Sequence, residues 1–261
     1  MNEFVGALNF VLGSVYLQYG TMTLVEMRRN WDRMGFSHFG AAWVAMAFTC
    51  GPHHLVHGVH ALFEGQAGSS LDMVAVLVGF PAGVGWFLLR VEAFRGGRGD
   101  RFVAGTPWPL MLVPTLAGVY LGAMVTIMAG GSALDAGRVP GAFPNVLLVG
   151  IYSLIGYYLL RTQLANRRPL GGWSISGLAL TVIFPTCAVM HAVYAYYTLT
   201  GSYYLDTHMG VVDWLAVPAG LYFLWVVQAL YRGSFRDWNS SGRQVAAVPP
   251  AKPARPRVLA G

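Results

Sequence analysis

Thr49-Cys50-Gly51-Pro52-His53-His54 and Thr186-Cys187-Ala188-Val189-Met190-His191 hold the only two cysteines of the chain, 137 positions apart. The same ungapped shift carries Pro81-Ala82-Gly83 onto Pro218-Ala219-Gly220 and Arg95-Gly96 onto Arg232-Gly233. It also carries Gly35, Ser37 and Gly40 onto Gly172, Ser174 and Gly177. With 33 glycines present, many coincidences arise by chance, so the rare residues decide. Two cysteines, a histidine four residues after each, and a Pro-Ala-Gly triplet agree on one shift, which marks an internal duplication.

Around these segments the chain is 55% hydrophobic and 11% charged, against roughly 25% charged residues in a soluble domain. The mean hydropathy of +0.51 is spread over seven apolar stretches, near 4–25, 39–63, 72–94, 107–129, 145–164, 173–200 and 208–231. Each is long enough to cross a hydrocarbon core of about 30 Å. The expected fold is therefore an all-α membrane protein of seven transmembrane helices. Arg28, Arg29 and Arg33 follow the first span; Arg90, Arg95, Arg98 and Arg101 surround the end of the third; Arg161, Arg167 and Arg168 follow the fifth. The positive-inside rule makes those loops cytoplasmic, with the N-terminus out and the C-terminus in.

Combined with the duplication, this gives residues 1–97 as a first three-helix repeat, 98–142 as a linker with the fourth helix, and 143–235 as a second repeat. The arrangement is 3+1+3, with parallel halves about a pseudo-twofold axis along the membrane normal. Residues 236–261, rich in Pro, Ser, Ala and Arg, form a disordered cytoplasmic tail. The opening residues lack a basic n-region and a small-residue cleavage site, so the first span is expected to be retained. Low lysine with abundant Ala, Gly and Arg points to multi-pass residence in a bacterial plasma (inner) membrane. The formal charge of +6 comes from arginines at span ends and in the tail, which makes the lipid bilayer, and no nucleic acid, the expected partner. The single lysine, Lys252, excludes a retinal Schiff base on a helix.

On the second span Cys50, His54 and His57 share one helical face, flanked by His53 and His60. The sixth span repeats it, with Cys187, Met190, His191 and Tyr194 standing for Cys50, His53, His54 and His57. Thiolate, imidazole and thioether suit Cu(I) or zinc better than magnesium or calcium. Cys50, His54, Cys187 and His191 are thus the expected four-ligand metal site at the midplane, with His57, His53, His60 and Met190 as further candidates. Histidines inside a span mark function by default. The outer histidines, His57 and His60 on the second span and His208 at the start of the seventh, read equally well as a metal entry path, as partners of the ligands, or as ordinary polar groups of an outer vestibule. Asp213 is expected only to bond a neighbouring helix or water, and Tyr194, Tyr196, Tyr197, Tyr203 and Tyr204 to form an outer aromatic belt.

At Phe39-Gly40 and Cys50-Gly51-Pro52-His53-His54-Leu55 the sequence resembles the second transmembrane helix of the ethylene-receptor sensor domain. The resemblance implies a three-helix unit that works as a dimer and binds Cu(I) through a cysteine and the histidine four residues later. Here one chain looks like two such units fused, with Cys50 and His54 in one and Cys187 and His191 in the other. His53, His57 and His60 are additional to that pattern. The implied role is a copper-binding sensor or metal-handling module, with a small apolar ligand or metal donor, and a signalling or redox protein, as partners. Two alternatives stand beside it. One is a membrane redox protein or enzyme with haem b or a catalytic metal at His54 and His191. The other is a small-solute transporter, since 3+1+3 parallel repeats also build sugar uniporters of the SWEET type.

Overall fold

The computed structural model describes residues 2–63, 70–105, 136–201, 207–234 and 237, with single positions between 108 and 126. Among them, the long helices are α1 (Asn2–Met34), α2 (His38–Phe63), α3 (Ser70–Phe94), α4 (Val139–Asn166), α5 (Ile175–Thr200) and α6 (Thr207–Arg232). These are the first three and last three expected spans. The described residues are helical but for one antiparallel pair, β1 (Phe102–Val103) against β2 (Trp173–Ser174), and connecting turns. The fourth expected span falls largely outside the described residues; Leu112, Leu116 and Val119 within it are helical and exposed. His208, Tyr203 and Tyr204 also lie outside the residues whose side chains are described.

Among the described residues, four helical segments are long and apolar enough to cross a membrane: 73–94, 139–166, 175–200 and 212–232. Large apolar side chains such as Phe10, Leu24, Leu88, Leu154 and Leu221 point outward, while Asn9, His57, Asn145 and Asp213 are buried. Water would reverse that arrangement; a hydrocarbon solvent permits it. Pro52, Pro81, Pro185 and Pro218 lie within continuous helices.

α1 packs on α2 and α3, α4 packs on α5 and α6, and the groups meet where α2 touches α6 and α3 touches α5. The details match from half to half. Ser37 Oγ accepts from Gly40 N at 2.9 Å, and Ser174 Oγ from Gly177 N at 2.9 Å, each supplying one of the acceptors that helix starts lack. Asp100 Oδ1 accepts from Ser176 N at 2.9 Å, and Asp237 Oδ2 from Phe39 N at 2.6 Å. The segment after each third helix thus caps the second helix of the other half. Asp237 falls inside the expected disordered tail, yet it is buried at α2. A Cβ on Gly83 would meet Leu12 Cδ2 at 2.9 Å, and one on Gly220 would meet Ile151 Cγ2 at 2.9 Å. Glycine there lets α3 approach α1 and α6 approach α4.

One difference separates the halves. Gly35 and Gly171 both take left-handed φ, at 71° and 72°, yet their spacing is 136, while Ser37 and Ser174 remain 137 apart. The second half has Gly172 and Trp173 where the first has Phe36. Every α1–α4 correspondence is therefore offset by one residue from the rest.

Candidate metal centre

α1 and α4 position the intramembrane histidines. Asn9 Nδ2 donates to the Val5 carbonyl at 2.9 Å, so its Oδ1 is the atom facing His54 Nδ1, at 2.7 Å. An amide oxygen only accepts, so His54 carries its proton on Nδ1. The same logic holds 136 residues on. Asn145 Nδ2 donates to Asp213 Oδ2 at 2.7 Å, and Asn145 Oδ1 faces His191 Nδ1 at 2.6 Å. The other oxygen of Asp213 lies 3.0 Å from His53 Nδ1. For His54 and His191, whose Nδ1 is held by an amide oxygen, Nε2 keeps its lone pair, which is how metal-ligating imidazoles are oriented; His53 Nδ1 meets Asp213 at ion-pair distance without hydrogen-bond geometry.

His53, His191 and Asp213 each offer a ligand atom, and these atoms lie within 4.8 Å of one another. All are buried, at 4%, 4% and 1% exposure. The His53 and His191 rings have centroids 4.9 Å apart, and among the described residues His53 Nε2 has no hydrogen-bond partner. The group can hold a metal ion. It joins one histidine from α2 to a histidine and a carboxylate from α5 and α6, so it forms only where the halves meet.

Other expected ligands lie close by but outside that 4.8 Å group. The His54 ring is 6.2 Å from His53 and packs edge-on against Tyr16 at 5.3 Å, as His191 does against Tyr152 at 5.2 Å. Cys50 and Cys187 line one small cavity of about 20 Å³ with Tyr16 and Tyr152. Cys50 Sγ lies 3.2 Å from Tyr152 Oη, and Tyr16 makes the corresponding bond to Cys187. Each cysteine is thus tied to a tyrosine of the opposite half. Met190, His57 and His60 are buried.

Two sequence expectations shift. Asp213 belongs to the buried ligand group instead of merely bonding a neighbour. Tyr194 is 1% exposed and its ring touches His53 and His57 at 5.0 and 4.9 Å, so it walls the site and is no part of a belt. Sequence reasoning missed Asn9, Asn145, Tyr16 and Tyr152. Their signal was present as pairs at a spacing of 136, which a search at 137 passes over.

At the spacing of 137 the counterparts of His53, His191 and Asp213 are Met190, His54 and Val76. The matching place in the other half therefore has one imidazole, a thioether and a methyl surface, and no carboxylate. No family model, no curated protein and no solved structure matches the chain.

Proposed function

We propose that this chain is a seven-helix protein of a bacterial inner membrane, N-terminus outside, built by duplication of a three-helix unit, that binds one transition-metal ion between its halves. It serves as a sensor or metal-handling module. The observation that carries this is the buried group His53, His191 and Asp213, with His191 tethered through Nδ1 to Asn145 and His53 beside Asp213. The matched caps and glycine contacts support the duplication, and the outward apolar side chains support the bilayer as solvent.

Two imidazoles and a carboxylate are a ligand set shared by zinc and non-haem iron, and the neighbouring thiols and thioether of Cys50, Cys187 and Met190 favour copper or zinc. A second reading keeps Cu(I) on the cysteine and histidine pairs, as in the ethylene-receptor resemblance; the shared cavity of Cys50 and Cys187 favours it.

Metal analysis of the purified protein tests the proposal. The expected result is one copper or zinc per chain, lost in His53→Met and in Asp213→Val, which place the other half's residues at those positions. Wild-type protein that neither co-purifies with nor takes up either metal refutes it. For the topology, a cysteine introduced at Arg98 should react with an impermeant thiol reagent only from the cytoplasmic side.

A further inference from the structure

Beyond the ligands, α2 carries two more buried imidazoles, His57 and His60, at 0% and 5% exposure. With His53 they follow at steps of four and three residues, so they share one helix face about 4.5–6 Å apart along the axis. Burying imidazole in hydrocarbon is costly, and the duplicated helix shows it is not needed for packing. At the corresponding places α5 has Tyr194 and Tyr197, both buried. The same fold position has tyrosine on α5, whose counterpart ligand place (Met190, His54 and Val76) has no carboxylate, and histidine on α2, whose ligand place includes Asp213 of the other half.

We propose that His60, His57 and His53 form a stepping path by which the metal ion enters from the outer end of α2 and reaches the site, handed from one imidazole to the next. Tyr194 walls the inner step, since its ring touches both His57 and His53. The ion exchanges one nitrogen ligand for another at each step, with no change of oxidation state. Asp213, at the end of the path, supplies the only carboxylate of the ligand group, so the ion is held most firmly there. The inference rests on the metal site proposed above and adds its direction of loading.

The test is stopped-flow loading of Zn(II) into the full chain in nanodiscs, followed with a competing fluorescent chelator. The variant is His57→Tyr/His60→Tyr, which installs residues that α5 already accommodates, and its fold is checked by thermal unfolding. Association and dissociation rates are expected to fall together by about tenfold, with stoichiometry and affinity unchanged. Unchanged rates overturn the path. Weakened affinity with an unchanged association rate also overturns it, and assigns the pair to support of the ligands. His53→Met should abolish binding altogether. Failure of wild-type protein to bind Zn(II) or copper overturns the metal site itself, an outcome distinct from binding at unaltered rates in the double variant.

Discussion

Asn145→Leu, compared with Asn9→Leu, tests the asymmetry of the site. Both asparagines are fully buried, and each accepts from a histidine Nδ1. Leucine is close in size, so the main change is lost hydrogen bonding. In Asn9→Leu the His54 N–H loses its partner, while the Val5 carbonyl still sits in the helix ladder; an unsatisfied neutral group costs about 1–3 kcal/mol. In Asn145→Leu both His191 N–H and Asp213 Oδ2 are orphaned. Adding a buried carboxylate that has lost a partner raises the cost to about 3–5 kcal/mol. Metal affinity should separate the variants further. Asn145 orients one ligand and holds another, so its loss is expected to weaken binding about 10–100-fold. Asn9 orients His54, outside the ligand group, and its loss should leave affinity unchanged. Thermal unfolding and competition titration with Zn(II) and copper in detergent read both quantities. Equal affinity losses in the two variants, or none in Asn145→Leu, would refute the placement of the site.

Three further outcomes follow from the same geometry. Cys50→Ser/Cys187→Ser should retain its metal, because the thiols bond tyrosines across the halves; loss of copper by metal analysis would move the site to the cysteine pairs. Met190→His/Val76→Asp completes the matching position around His54 and should raise bound metal from one ion per chain to two, with a stoichiometry of one counting against the symmetry. Asp237→Ala removes the acceptor at the start of α2 and should destabilise the protein by about 1 kcal/mol, whereas an unaltered melting temperature would show that the cap adds nothing.

The pattern of apolar stretches made the helices legible, because a bilayer demands continuous runs of about 20 apolar residues and lets composition stand in for packing. α1 runs on to Met34, well past the apolar stretch ending near residue 25, because a helix continues into water beyond the hydrocarbon. The fourth stretch lies mostly outside the described residues, so the sequence remains its main witness. The likeness of the two halves at a spacing of 137 was legible for α2, α3, α5 and α6, while the likeness of α1 to α4 was hidden. One extra residue between Gly171 and Ser174 breaks the register that an ungapped shift requires.

At the site, sequence marked His191 as a ligand by its rarity inside a span and its place after Cys187, but preferred His54 to His53, which it carried only as a further candidate. It gave Asp213 no such mark, since a single acid near a helix end is common and its partners lie far away in the chain. Residue type and spacing fix which groups share a helix face, so the sequence by itself determined the membrane solvent, most of the helices and the histidine stripe. Which faces meet is decided by packing between helices distant in the chain. Only the tertiary structure therefore joined α2 to α5 and α6, set Asn145 between His191 and Asp213, and placed the ligand group in one half's position and not the other's.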